Sequence, residues 1–280
     1  MRKKQSDFLL KKKQEAKTIK KKSMLYESDV DYVDYCINHV IGCSHGCNFP
    51  CYAMLMAKRF GWIKRYQDWI QPKMVKNTLD LLDKEIPKLK SKISFVFLSL
   101  ATDPFMFGRE DVKKQTLDII SKLNKNDIKA VTLTKGLYPK DLADKKYSRE
   151  NEYGITLLSF DKNFQKRFEP GTSPIDERLN ALKYLHKKNL KTWVSIEPYP
   201  TPNIVSQDLL KLLEKIKFVD KIIFGSWNYN SQISGYPNKE EFYLDCSSVV
   251  SKFCRKNGIE LHVKSGGPKD EKLKNSKIFY

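Results

Sequence analysis

Cys43-Ser44-His45-Gly46-Cys47-Asn48-Phe49-Pro50-Cys51, followed at once by Tyr52-Ala53, crowds three thiols into nine residues. Thiolates bind zinc and iron–sulfur clusters, and so dense a group has few other uses in an intracellular chain. The chain opens Met1-Arg2-Lys3-Lys4 with no apolar leader core, so the disulfide framework of a small secreted domain is not expected. The count matters as much as the crowding. Three cysteines on a cubane [4Fe-4S] cluster leave one iron open to a substrate or cofactor, whereas the four of an electron carrier saturate it. Zinc is the competing reading, since Cys36 lies upstream and would complete a four-thiolate tetrahedral site. Structural zinc sites, however, usually take their ligands as two knuckles separated by a longer loop, and here gaps of six, three and three residues follow one another in a single run.

The flanking residues add a second line. Gly42-Cys43-Ser44-His45-Gly46-Cys47, then Phe49, then Cys51-Tyr52-Ala53 resembles the signature of the radical S-adenosylmethionine (SAM) superfamily. Within it, the match is to the branch containing spore photoproduct lyase and its uncharacterised, partly phage-associated relatives. Further resemblances follow in order: Thr102-Asp103-Pro104, Thr134-Lys135, Glu169-Pro170 leading to Arg178-Leu179, and Ser195-Ile196-Glu197-Pro198. One departure stands out. The usual superfamily spacing is three residues and then two, whereas Asn48-Phe49-Pro50 places three in the second gap. Pro50 fixes φ and removes a backbone donor, so an altered loop around a retained cluster is expected.

The resemblance implies a mechanism and a set of roles. SAM would chelate the open iron of a cluster held by Cys43, Cys47 and Cys51. An electron from an external donor such as ferredoxin or flavodoxin would then cleave the sulfonium bond, leaving methionine and a 5′-deoxyadenosyl radical that abstracts hydrogen from substrate. Lys135 and Ser159 match the lysine and serine that contact SAM in this branch, although Ser159 could instead turn the chain. Thr102 and Asp103 stand where the superfamily commonly faces the methionine amino group, the alternative being an Asp-Pro turn. Arg178 either contacts SAM or pairs with Glu169; Glu197 would reach ribose or substrate; Phe49 would pack on adenine or fill the core. His45 is read as a satisfied or solvent-facing histidine, and Cys36, Cys246 and Cys254 as core. Trp227, Asn228 and Lys264, with Trp193 and Tyr199, are candidates for substrate contact. The lyase's cysteine hydrogen donor near the end of the second strand has no counterpart, because no cysteine occurs between Cys51 and Cys246. Reversal of spore photoproduct by the known route is therefore not expected.

Strand-length apolar runs alternate with longer amphipathic segments, the pattern of repeated βα units. Strands are predicted at 38–42, 95–100, 130–134, 155–159, 192–196 and 221–224, with a possible seventh at 259–264. Helices are predicted at 73–83, 111–123, 175–188 and 206–216. The fold class read from this is α/β, a partial (β/α)6 TIM-type barrel with parallel strands. In such a barrel the active groups lie on loops after the C-terminal strand ends, where the motifs fall. The organisation read from the chain is a basic N-terminal segment, 1–30, and one domain, 31–280. The longest apolar stretches are too short to span a bilayer, so no membrane association and a cytoplasmic location are expected. A formal net charge of +19 would favour a polyanion, which makes DNA or RNA a possible partner, although lysine enrichment also occurs across whole proteomes.

Overall fold

Strands buried on both faces need apolar residues at successive positions, and a parallel sheet supplies the cover on both sides. The structure, a computed structural model, describes residues 17–30, 32–48, 51–228 and 230–264. The chain begins with β1 (Thr18–Ile19), β2 (Tyr26–Glu27), β3 (Tyr35–Ile37) and β4 (Val40–Ile41), then α1 (Tyr52–Arg59), α2 (Tyr66–Trp69) and β5 (Lys73–Val75). Alternation follows: α3 (Thr78–Leu89), β6 (Phe95–Leu98), α4 (Glu110–Asn124), β7 (Lys129–Thr134), β8 (Glu152–Thr156), α5 (Lys162–Phe168), α6 (Ile175–Lys187) and β9 (Lys191–Tyr199). The last elements are α7 (Leu209–Ile216), β10 (Lys221–Ser226), α8 (Ser231–Ser234), α9 (Lys239–Asn257) and β11 (Glu260–Val263).

The main sheet runs β11-β10-β9-β8-β7-β6-β3-β2, with every pairing parallel except β2 against β3. Its two ends meet through side chains. The Tyr32 ring, just before β3, lies 5.4 Å from the His262 ring on β11, and the Lys264 ammonium sits 5.3 Å from the Tyr32 centroid. The protein is thus a partial TIM-type barrel of parallel strands. β11 is the seventh parallel strand, within the possible 259–264 segment.

Helices α4, α6 and α9 pack on this sheet. In α4 the buried residues Val112, Thr116, Ile119, Ile120 and Leu123 recur at helical spacing, with Glu110 and Asp111 in the first turn, where the dipole favours negative charge. The barrel interior has its own cluster of Val33, Cys36, Phe97, Val131, Trp193 and Ile223. Gly154 makes this packing possible, since a Cβ there would come within 2.2 Å of the Trp193 ring. Gly154→Ala forces that indole to move within a filled barrel, and is expected to cost about 1–3 kcal/mol, checked by urea denaturation.

Local structure departs from the sequence reading where distant segments supply hydrogen bonds. The strand expected at 38–42 is split: β3 joins the main sheet, whereas β4 pairs antiparallel with β5 in a separate sheet, β1-β5-β4. The switch occurs at His39, whose carbonyl accepts from Val75 N–H, while the Asn38 side chain accepts from Ala101 N–H. The helix expected from Lys73 begins instead at Thr78, because Lys73–Val75 is held between β1 and β4. Strand β8 ends at Thr156, so Ser159 lies beyond it. Residues 17–30, read as part of the basic segment, are woven into the body: β1 and β2 pair with β5 and β3, and Glu85 accepts from the N–H groups of Met24 and Leu25. Phe49, Pro50, the lysines of residues 1–16 and Ser265-Gly266-Gly267 lie outside the described residues.

Candidate active site

A cavity of about 400 Å³ opens at the C-terminal ends of the strands. Cys43, Cys47 and Cys51 line it together with Thr102, Asp103, Lys135, Glu197 and Lys264, over a wall that includes Tyr32, Phe97, Leu100 and Leu133. Six of the motif positions singled out by sequence, three thiols and Thr102, Asp103 and Lys135, therefore converge on one space, with Glu197 across it. Strand parity produces this. On β9, Trp193, Ser195 and Glu197 share the inward face, so a packed indole at the bottom gives way to a hydroxyl and then a carboxylate at the mouth.

The loop carrying the cysteines is fixed from several directions. Cys43 N–H donates to Trp69 O, Tyr66 Oη to Gly46 O at 2.7 Å, and Asn48 N–H to Phe168 O. Gly46 takes φ of +56°, the left-handed region that favours glycine. Gly171 N–H donates to His45 O, and a Cβ on Gly171 would lie 2.7 Å from the carbonyls of both Ser44 and His45. The bare backbone at Gly171 is thus what lets the two loops touch.

His45 is buried and satisfied. Its Nε2 accepts from Phe107 N–H at 2.9 Å, which leaves the proton on Nδ1, 3.4 Å from Asp103 Oδ2. Burial lowers its pKa, with Asp103 opposing, so the imidazole is neutral at pH 7. Asp103 does the bracing: it accepts from Thr134 Oγ1, Lys135 N–H and Phe105 N–H at 2.6, 2.8 and 2.9 Å. Thr102 Oγ1 donates to Gly42 O. Both side chains of the Thr-Asp pair are thereby engaged in holding the strand-end loops.

Lys135, Glu169 and Arg178 form a buried charge triad. The Lys135 ammonium is 2.9 Å from Glu169, and Arg178 is 3.7 Å from it. Burial pulls the Lys135 pKa down, but Glu169 and the Cys47 thiol more than offset this, and the net direction is up. Arg178 also donates to Thr156 O and Ser173 Oγ, and of its two expected roles the structure shows the pairing with Glu169; it is not on the cavity wall. Ser159 is likewise absent from the wall. Its hydroxyl accepts from Asp161 N–H at 3.0 Å, turning the chain into α5, which Asp161 caps. At the far side of the cavity Lys264 donates to Glu197 Oε1 at 3.0 Å.

Of Trp227, Asn228, Lys264, Trp193 and Tyr199, Lys264 lines the cavity, beside Glu197. Trp227 is buried against Phe164 and Phe168, and Trp193 and Tyr199 are core. Cys246 and Cys254 are buried in the outer core. The sequence reading gave no role to Ser99, Thr156 or Ser195, the last quoted only within its motif, and all three put hydroxyl-bearing residues on the wall. For Ser195 the signal was available: it sits on the inward face of β9, one step above Trp193.

Residues 37–216 match the family model of the Radical SAM superfamily. An uncharacterised protein of Methanocaldococcus jannaschii is 28% identical over 180 residues, covering 64% of this chain and 66% of that protein. An uncharacterised protein of Acidianus two-tailed virus is 26% identical over 188 residues, covering 65% of this chain and 61% of its own length. The match thus spans a little under two thirds of each relative. Among solved structures, spore photoproduct lyase complexed with dinucleoside spore photoproduct superposes with a TM-score of 0.66 at 13% identity, covering 88% of this chain and 81% of that one. A double mutant of that lyase with bound AdoMet and the same dinucleoside gives 0.65, also at 13% identity, covering 88% of this chain and 80% of that one. At such identity the likeness is one of fold. The matched family model takes in 180 of the 280 residues, from β3 to α7, and places this chain in the radical SAM superfamily.

Proposed function

We propose that this radical SAM enzyme holds a [4Fe-4S] cluster on Cys43, Cys47 and Cys51 and cleaves SAM reductively to abstract hydrogen from a nucleic-acid substrate. The observation that carries the reading is the shared cavity of the three thiols at the strand ends. The donor set suits a cubane. Cys43, Cys47 and Cys51 share one cavity, and a cubane takes each thiolate at a separate iron, leaving the fourth open to a cofactor. Cys36, which a four-thiolate zinc site needs, points into the barrel interior beside Phe97 and Trp193. Ser44 Oγ, next to Cys43 in the chain, is buried with no hydrogen-bond partner among the described residues, and its hydroxyl could donate to a cluster sulfide.

When bound, the cluster and SAM together supply a 5′-deoxyadenosyl radical, and the chain's own part is to bind, orient and keep water out. Burial raises the Cys43 thiol well above its usual value, with Asp103 and Cys47 adding to the shift, and pushes Cys47 up to about 12 against the pull of Lys135. Both thiols are therefore protonated at neutral pH without metal, and loading the site releases protons. Lys135 presents a cation beside Cys47 for the anionic end of the cofactor, with Glu169 setting its position. Glu197 and Lys264 place one acceptor and one donor across the cavity, for ribose and substrate. Asp103, Thr102 and Arg178 fix the loops on which these groups stand. Phe49, outside the described residues, is assigned to adenine by the family resemblance alone, and an external donor such as ferredoxin or flavodoxin would supply the electron.

The formal charge of +19 supports a polyanionic substrate. Spore photoproduct lyase, whose fold this chain shares, is complexed with a dinucleoside, and that too favours a substrate built of nucleotides. Anaerobic purification followed by iron, sulfide and zinc analysis tests the cluster, and dithionite-dependent formation of 5′-deoxyadenosine from SAM tests the reaction. Stoichiometric zinc without sulfide would sink the reading.

A further inference from the structure

Helix α1 links the cysteine loop to a surface with a different chemistry. Tyr52, at its start, is 55% exposed and lines the cavity. Eight residues later, about 12 Å along at 1.5 Å per residue, the helix closes in a turn around Gly61, whose φ is +70°. Gly61 N–H donates to Lys58 O and Trp62 N–H to Ala57 O, the paired bonds of a Schellman cap. In such a cap the hydrophobic contact falls between C″, here Trp62, and C3, here Ala57, and Ile63 adds a second anchor just beyond it, buried with Ala53, Ala57 and Trp69. Phe60 has no part in that contact, and much of the Trp62 ring is left outside it. They stand 57% and 42% exposed, with ring centroids 5.4 Å apart and planes 27° from parallel. The Lys21 ammonium lies 5.7 Å from the Trp62 centroid, so a cation backs the pair.

The charge around the rings has one sign. Residues 51–67 contain no Asp or Glu, and Lys58, Arg59, Lys64 and Arg65 are all exposed. Among the described residues the first three make no ion pair, and Arg65 approaches Asp68 at 3.8 Å. Lys58 and Arg59 complement the helix C-terminus, but Lys64 and Arg65 lie beyond it and have no such role. Two stacked aromatic rings on a segment whose exposed charged side chains are all cationic match a ligand that offers flat faces and regularly spaced negative charge together. A single-stranded nucleic acid does so; a duplex hides its base faces, and an acidic peptide has no obligatory flat rings.

We propose that Phe60 and Trp62, flanked by Lys58, Arg59, Lys64 and Arg65, form a base-stacking platform for single-stranded nucleic acid, from which the strand runs along α1 toward the cavity. The binding claim stands by itself. Only the statement that the bound strand is the substrate rests on the radical reaction proposed above.

Anisotropy of a fluorescein-labelled 12-mer thymidine oligonucleotide with the full chain tests it. Phe60→Ala and Trp62→Ala are each expected to weaken binding about tenfold or more with the far-ultraviolet circular dichroism of the parent retained. Lys64→Ala with Arg65→Ala should reduce the salt slope by about 1.4, two phosphates at about 0.7 each. Trp69, Trp193 and Trp227 are buried, so quenching of tryptophan emission by the oligonucleotide reports on Trp62 and should vanish in Trp62→Phe while binding survives. Unchanged affinity in both alanine variants, tighter binding to the same sequence as a duplex, or an aromatic-dependent loss confined to phosphatidylserine vesicles would overturn the proposal. SAM cleavage measured without oligonucleotide is independent of all these arms, so failure of the platform and failure of the radical chemistry are distinguishable.

Discussion

Replacing Cys43, Cys47 or Cys51 by alanine is expected to remove reductive SAM cleavage and cluster content together, with 5′-deoxyadenosine formation falling to below about one-thousandth of the parent rate. Changes in groups that only support a metal ligand already cost about 10–100-fold, and loss of a ligand itself must exceed that. With two thiolates, a second iron loses its protein ligand and the cluster is no longer fixed. The contrast that makes the result specific lies within the same chain. Cys36→Ala and Cys254→Ala each remove a sulfur more deeply buried than those of the trio, yet neither lines the cavity. These two variants should retain iron and sulfide and lose only packing energy, about 1 kcal/mol each. Iron and sulfide analysis after anaerobic reconstitution reads the difference. Full cluster content in all three trio variants would remove the ligand assignment.

The trio and its loop were legible because ligand chemistry restricts residue type and spacing within a short window, and no tertiary information is needed to see it. The barrel was legible for a similar reason: βα alternation and inward parity on β9 are local patterns, and Trp193, Ser195 and Glu197 can be placed on one face by counting. What stayed hidden depends on partners far along the chain. Val40–Ile41 looks like a continuation of the preceding strand until Val75 takes the His39 carbonyl. Lys73–Val75 has apolar spacing suited to a helix, and is a strand only because β1 and β4 arrive on either side. Ser159 ends an apolar run, as a ligand-contacting residue at a strand end would, but its own hydroxyl folds back onto Asp161. Arg178 lies in the buried stripe of α6 with Ile175, Leu179, Leu182 and Leu185, a register that requires a buried counter-charge. That requirement could be read from the sequence, and Glu169 was the partner it demanded.

Glu169→Gln is the substitution for which the largest loss of stability is expected. The carboxylate is 3% exposed and sits between Lys135 at 2.9 Å and Arg178 at 3.7 Å, the latter 1% exposed. Gln keeps the volume and the hydrogen-bonding capacity but leaves two cations in a low-dielectric interior with no counter-charge between them. Breaking a buried pair from one side costs about 3–5 kcal/mol, chiefly the penalty of the abandoned charge. At about 2–4 °C per kcal/mol for domains somewhat smaller than this one, the melting temperature should fall by about 10 °C. Adding Lys135→Met to Glu169→Gln removes one abandoned cation and should recover part of the loss, a positive coupling that simple damage at two sites would not give. The pH dependence carries a sign. Burial alone would raise the Glu169 pKa, but Lys135 and Arg178 prevail, so it lies below the ordinary 4.5 of a glutamate. A depressed carboxyl contributes stability that is fully present above the unfolded value and is lost as pH falls through the folded one. The gap between parent and variant melting temperatures should therefore hold from about pH 7 to pH 5 and close below about pH 4.5. A gap under about 2 °C at pH 7, or one that widens in acid, would show that the triad does not hold the lysine and arginine in the way the distances indicate.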